Sequence, residues 1–315
     1  MARREGIAGT LVLGATGFLG PHVLERAATR LAGTVWAGGR DPATSVPALT
    51  RAAAEPAKAD LTSTDEVEAM LERLRPARVL NLAAIASGAA CEADPDLAQR
   101  INADAPAQVA AWCAGAGARM VHVGTDLVFG AKAPPASGFD EDAPTGPIGV
   151  YGETKAAGER AVLAADPAAL VVRLPLLYGD SRGRGLGASD GLLAALARGP
   201  FTLFEDEWRT PLEAGAAAAA LVELAEGDAG GILHVAGPER VSRAELGRAV
   251  LASAGSVARG LGAPVYGTRA SVGASERAAD TSLDTRRARA LLATALPGIR
   301  EGIARWATDR GFDAD

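Results

Sequence analysis

Two residues four apart, Tyr151 and Lys155 in Tyr151-Gly-Glu-Thr-Lys155-Ala-Ala-Gly-Glu159, form the pair in this chain best suited to proton chemistry. On a helix, residues at this offset lie one above the other, so the phenol and the ammonium point the same way. A free tyrosine titrates near about pH 10, and a neighbouring cation favours its ionised form, bringing the phenol toward the range where it exchanges protons at neutral pH. Such a phenol can protonate a carbonyl oxygen while the carbonyl carbon receives hydride. The competing reading is a surface helix that happens to carry both residues. The chain has only three tyrosines and three lysines, which makes the offset an infrequent coincidence.

Hydride needs a carrier, and the start of the chain has the pattern of one. The apolar run Thr10-Leu-Val-Leu13 is followed at once by Gly14-Ala-Thr-Gly17-Phe-Leu-Gly20 and a helical pattern from Phe18 to Arg30. In a strand, turn and helix, Gly14 allows the tight turn, Gly17 lets backbone N–H groups approach a pyrophosphate, and Gly20 lets helix pack on strand. Thr16, Phe18 and Leu19 lie in the same turn and are assigned to the cofactor with the glycines. A second strand, Thr34–Ala37, ends in Gly38-Gly39-Arg40-Asp41. A carboxylate there suits the ribose hydroxyls of NAD, whereas Arg40 can form a bidentate pair with a 2′-phosphate, and Gly39 leaves room for it. NADP(H) is therefore favoured over NAD(H), with Asp41 pulling the other way.

Further along, Asp60 and Leu61 precede Ser63-x-x-Glu66, a capping box opening a helix from Asp65 to Arg73. Asp60 is either a strand-end acid near the adenine or a simple turn aspartate. Strand Arg78–Leu82 leads into Ala83-Ala84, small residues beside which phosphates and ribose can lie; Leu82, Ala83 and Ala84 are assigned to the cofactor. A long helix after Asp94-Pro95 carries Asn102, which either reaches active-site backbone or is a buried structural asparagine. Strand Met120–Gly124 delivers Thr125-Asp126 at its carboxyl end, where ligands bind in open parallel sheets. Thr125 can then donate to the substrate oxygen, and Asp126 can assist proton transfer or bind a hydroxyl. His122, alternating into this strand, reads as a packed core residue. Residues 130–148 form a loop long enough to cover a site.

These elements fit a soluble α/β chain of 315 residues with a net charge of −6. That charge, without a large basic patch, excludes a broad nucleic-acid surface. No apolar window reaches membrane length. Cys91 and Cys113 lack metal spacing and a disulfide framework, so no metal is expected and a cytoplasmic location is.

Gly14-x-x-Gly17-x-x-Gly20, Asn81-Leu-Ala-Ala84, Thr125-Asp126-Leu-Val-Phe-Gly130, Tyr151-x-x-x-Lys155 and Arg173-x-x-x-x-Tyr178-Gly179, in this order, resemble an extended short-chain dehydrogenase/reductase. Cys91-Glu-Ala-Asp-Pro95, Phe139-Asp-Glu-Asp-Ala-Pro144 and Tyr151 to Glu159 are similar to the dTDP-4-dehydrorhamnose reductase group. The resemblance implies a Rossmann-type doubly wound parallel sheet with a smaller C-terminal substrate lobe. It further implies Tyr151 as the acid, Lys155 on the nicotinamide ribose, and Thr125 orienting the carbonyl. The segment Arg173 to Gly179, with Leu177, would wall the nicotinamide pocket, and assembly as a homodimer is common in the superfamily. The expected Rossmann domain is residues 1–179 with 210–238 returning to it; residues 180–209 and 239–315 form the lobe.

Departures from the group fall on the substrate side. Leu127 and Leu176 replace aromatics, and Ile85 to Ala90, including Ala86, replaces a loop that usually carries Tyr-Thr and Val-Asp. These changes give weight to a smaller or more apolar carbonyl substrate beside a keto-sugar nucleotide. In the lobe, Arg209 is the candidate for an anionic or oxygen-rich substrate group and Trp208 for its apolar wall, a plain hinge being the competing reading. The expected activity is NADPH-dependent carbonyl reduction. Leu127 stands where dehydratases place a glutamate, which argues against loss of water, while epimerisation remains open on the same scaffold. A non-catalytic NADP-binding regulatory subunit, like the reductase-like partner of methionine adenosyltransferase, is the alternative of another class.

Overall fold

The computed structural model describes residues 9–42, 46–274 and 276–312, without the side chains of Val46 and Ala48. Seven strands build its central sheet: β1 (Thr10–Leu13), β2 (Val35–Gly39), β3 (Glu55–Lys58), β4 (Arg78–Asn81), β5 (Arg119–Thr125), β6 (Leu170–Leu174) and β7 (Gly231–His234). Their order is β7-β6-β5-β4-β1-β2-β3. The pairings from β3 through β5 are parallel, with Thr10 opposite both Val35 and Arg78. The chain therefore runs outward from β1 in one direction, then returns to β4 and continues in the other. This leaves a crevice between the carboxyl ends of β1 and β4, where doubly wound sheets bind ligands. Strands β1, β4 and β6 are apolar runs because helices cover both faces of such a sheet. The expected Rossmann-type fold is present.

Helix α1 (Gly20–Arg30) follows β1, α2 (Val46–Ala52) follows β2, and α3 (Thr64–Leu74) follows β3. Ser63 caps α3 by accepting the Glu66 N–H. The long helix expected after Pro95 is instead broken: α4 (Gly88–Ala93) and α5 (Pro95–Gln99) lead into a π turn at Arg100–Asp104, and only then into α6 (Ala105–Ala116). Pro106 in the first turn of α6 has no N–H with which to continue the ladder, so the register resets there. Residues 85–90 are likewise not all loop, because Ser87 caps α4 by accepting the Ala90 N–H at 3.3 Å. Helix α7 (Gly149–Ala165) packs on the π turn so closely that a Cβ on Gly158 would come within 2.1 Å of the Asn102 carbonyl oxygen. Gly158→Ala is therefore expected to destabilise the fold by about 1–3 kcal/mol, read as a lower urea midpoint.

The chain divides into two compact units. One holds the described residues through Thr125 with Gly149–Arg173 and Ala218–Leu233; the other holds Asp126–Ile148, Leu174–Ala217 and the described residues from His234 on. These boundaries depart from the expected ones, most clearly at 126–148, which clusters with the second unit. There Phe129 stacks on Phe139 at 4.1 Å with His234 edge-on at 5.8 Å, and the Phe139 N–H donates to the Ser282 carbonyl. The His234 backbone N–H donates to Glu141 at 3.0 Å.

The first unit's core contains Leu11, Leu13, Val79, Met120 and Val171. The second packs Tyr178, Leu192, Leu246, Val250 and Trp306, whose indole N–H donates to Asp190 at 2.9 Å. A helix runs over Arg286–Leu291. Thr285 is its uncapped N-cap, and Asp284 accepts the Arg286 N–H from one residue further out. Among the described residues, no helix is long and apolar enough to cross a membrane.

Candidate active site

At the carboxyl ends of β1, β2 and β4 lies a cleft of about 290 Å³. Gly14 turns the chain out of β1 with φ +77°, and a Cβ there would meet the Ala83 backbone nitrogen at 2.7 Å. Only glycine allows that conformation and that approach together. Gly20 presses on the turn in the same way, since its Cβ would lie 2.3 Å from the Ala15 carbonyl oxygen. Helix α1 then begins with proline in its first turn and no side-chain cap at Leu19. The positive end of its dipole suits an anion.

Nine expected cofactor residues line this cleft: Gly14, Thr16, Gly17, Arg40, Asp60, Leu61, Leu82, Ala83 and Ala84. Phe18, Leu19, Gly20, Lys155 and Leu177 lie outside its lining. Phe18 meets His22 edge-on at 6.2 Å, Leu19 is buried, and Leu177 pairs with Leu212 in a short parallel strand of the second unit. Asp60 lines the cleft and also closes its own turn. Its Oδ1 accepts the Thr62 N–H at 2.9 Å and the Thr62 hydroxyl at 2.8 Å, and these bonds, the backbone one first, hold its carboxyl below the usual range. Thr62, Ile85, Leu97 and Ile101 also line the cleft and were missed from the sequence. The four-residue spacing of Leu97 and Ile101 was the available signal, and the π turn obscured it.

The second group of candidates lies on β5 and α7. Tyr151 is half-buried in the first turn of α7, and Lys155 follows one turn on, 2% exposed. Its ammonium donates to the Val123 carbonyl at 2.7 Å and lies 3.5 Å from His122 Nε2. Burial pushes this lysine down to about 8, with Glu159 opposing the shift. His122 is held well below its ordinary value, first by burial and then by Lys155, and so is neutral. Asn81 Oδ1 accepts the Ala83 N–H at 3.1 Å, and Asn81 Nδ2 lies 3.2 Å from His122 Nδ1. Thr125 ends β5, 6% exposed. Asn102 accepts the Ile85 N–H at 2.9 Å and donates to the Ile85 carbonyl at 3.2 Å and to Thr154 at 3.1 Å. It therefore ties down the backbone that leaves the cleft beside Ala84.

Arg173 and Tyr178, expected to wall a nicotinamide pocket, are both buried. Arg173 is paired with Glu159 at 2.9 Å, each 3% exposed. Tyr178 is fully buried in the second unit's core against Gly302. Leu176 packs on that same core, Leu127 is half-buried and Ala86 is exposed.

In the second unit, Asp126 and Arg209 belong to one buried ionic network. Asp126 Oδ2 accepts the Thr281 hydroxyl at 2.6 Å and lies 3.6 Å from Arg209 Nε. Arg209 also donates to Glu207 at 3.2 Å and to the Trp208 and Ala278 carbonyls. Burial works to raise Glu207, but its Arg277 hydrogen bonds, with Arg209 and Arg243 nearby, hold it below the usual range. Internal partners thus engage both side chains expected to serve a substrate. Trp208 is covered by the Arg240 guanidinium, 4.0 Å from its ring centroid.

A separate cavity of about 210 Å³ in this unit is walled by Leu192, Phe201, Leu203 and Leu246, with Arg243 as the one cation in its lining. Burial pushes Arg243 down to about 10, and Glu207 stands 4.0 Å from it. Arg243 opens the helix that Ser242 caps through a capping box with Glu245. Among the described residues no group of His, Cys, Asp and Glu is placed to hold a metal.

The RmlD substrate binding domain family matches residues 8–311. The chain belongs to this family. It is 36% identical over 179 residues to dTDP-4-dehydrorhamnose reductase of Mycolicibacterium smegmatis, covering 56% of this chain and 54% of that protein. It is also 36% identical over 121 residues to methionine adenosyltransferase 2 subunit beta of Xenopus tropicalis, covering 38% of this chain and 35% of that one. The chain thus spans about half the length, or less, of these curated relatives. The NADP complex of dTDP-4-dehydrorhamnose reductase from Bacillus anthracis superposes with a TM-score of 0.80 over 96% of this chain and 99% of that one. At 21% identity this likeness shows the fold.

Proposed function

We propose that this family member is an NADPH-dependent reductase of a keto-sugar nucleotide, with Tyr151 as proton donor. The carrying observation is the glycine cradle of Gly14 and Gly17, with Arg40 at its far end, in the same compact unit as the Tyr151–Lys155 helix. The cradle fits a dinucleotide: a Cβ at Gly14 would clash with the Ala83 backbone, the helix that follows the glycine turn has no side-chain cap and would favour a pyrophosphate, and Gly39 has nothing within 4 Å of its missing Cβ. Arg40 would hold the 2′-phosphate. When bound, reduced nicotinamide supplies hydride.

The chain's own part is proton delivery and placement. Lys155 contributes a fixed cation that favours phenolate at Tyr151 and a donor for the ribose; Thr125 orients the carbonyl; Tyr151 gives its phenolic proton to the developing alkoxide. The cavity at Arg243 combines apolar walls with one cation, as a nucleoside carrying a diphosphate requires.

The test is NADPH oxidation measured with dTDP-linked 4-keto sugars and with simple ketones. The proposal expects turnover on the former. Turnover confined to simple ketones would replace the substrate, and no turnover on either, with NADPH still bound, would favour a regulatory subunit. Arg40→Ala is expected to cut the preference for NADPH over NADH by about 10–100-fold, the worth of a charge-assisted hydrogen bond, in parallel binding titrations.

A further inference from the structure

Two side chains of α7, one turn apart, hold three consecutive residues of β5. Lys155 takes the Val123 carbonyl at 2.7 Å. Glu159 lies over the next two residues: a Cβ on Gly124 would meet its Oε1 at 2.3 Å, and the Thr125 N–H faces the same carboxylate. Burial raises the Glu159 carboxyl above its usual range, with Arg173 first, then Lys155 and the Thr125 N–H, opposing the rise. The other oxygen, Oε2, accepts from Arg173 Nε at 3.0 Å and from its NH2 group at 2.9 Å, across from β6. A buried ion pair contributes little net stability, and an apolar pair of similar size often does as well. Here, moreover, Oε1 meets no partner at full hydrogen-bond geometry, although it is buried and aimed at the Gly124–Thr125 peptide. An arrangement that leaves a buried oxygen short of partners in that direction is explained by what it positions.

We propose that Glu159, locked by Arg173, is a positioning residue that fixes the carboxyl end of β5 and the ammonium of Lys155 for the reduction. The inference rests on the reading of Thr125, Tyr151 and Lys155 given above. Elements packed along α7 carry Cys91, Glu92, Arg100, Asp104 and His122. Glu92 accepts the Val150 N–H at the start of the helix, and the electrostatic partners of Lys155 are Glu159 and His122. Removing the Glu159 charge therefore removes an anion that favours the ammonium.

The test uses Glu159→Gln and the double variant Glu159→Gln/Arg173→Met, the second avoiding an unpaired buried guanidinium if the first folds poorly. Two readouts are taken against pH. One is unfolding free energy, whose Lys155-linked rise starts near pH 8 in the parent; the other is the basic limb of kcat/KM. Both are expected to move down by about one pH unit, a tenfold loss of proton affinity at Lys155, with the kcat/KM limb falling together with kcat. Folded variants that keep the stability profile unshifted and kcat unchanged would overturn the proposal. The stability readout needs no turnover. A shifted stability profile in a chain whose Tyr151→Phe variant is fully active would therefore sink the catalytic reading while supporting the Glu159–Lys155 coupling.

Discussion

Tyr151→Phe is expected to lower kcat by about 10²–10⁴-fold while leaving NADPH affinity within about twofold, the range for losing a positioned general acid. The substitution removes one oxygen from a half-buried ring in the first turn of α7. Tyr151 is not among the residues lining the dinucleotide cleft, so binding and turnover should separate. Stopped-flow turnover beside fluorescence titration of NADPH gives both quantities. A variant of normal kcat would remove the phenol from the chemistry, and one that lost cofactor affinity in proportion would make Tyr151 a binding residue instead.

The second large effect is on stability. Lys155 is buried, with a folded-state value of about 8 against an ordinary 10.5. Between these values the unfolded chain binds a proton that the folded chain has released, so stability rises with pH across that window. Below pH 8 both states are protonated and the full cost of burying the ammonium applies. Lys155→Met is therefore expected to fold more stably than the parent at pH 7, by about 3 kcal/mol, and the gap should close by about pH 10.5. Urea unfolding at pH 7, 8, 9 and 10 measures it, with turnover lost throughout. A gap that stays constant over this range would mean that the ammonium is not the group under strain.

The parts of this molecule legible in its sequence are those where local chemistry decides alone. Gly14, Gly17 and Gly20 follow an apolar strand, and their backbone roles need no knowledge of distant residues. Arg40, Asp60 and Ala83 were found because a strand's carboxyl end points its next residues at the crevice. Long-range packing hid the rest. Nothing local in Arg209 or Asp126 announces that Glu207, Arg277 and Thr281 occupy them, since these partners arrive from segments up to 155 residues away. Tyr178 reads as a pocket wall beside Gly179 until Gly302 is seen against its ring. The break in the helix at Asn102 follows from Pro106, yet proline is also common in the first turn of an uninterrupted helix, so the π turn had no separate signal. Glu159 was quoted only as the end of a motif, and its meaning depends on Arg173 of β6 and Gly124 of β5.

The most direct measurement follows deuterium. The enzyme is incubated with a dTDP-linked 4-keto sugar and NADPH carrying deuterium at the transferable C4 position, and the product is read by mass spectrometry and NMR. The account predicts one deuterium on the new carbinol carbon for each NADPH oxidised, with the hydroxyl proton coming from solvent by way of Tyr151. Oxidised cofactor with no deuterium at that carbon, or bound NADPH that is never oxidised, would contradict it.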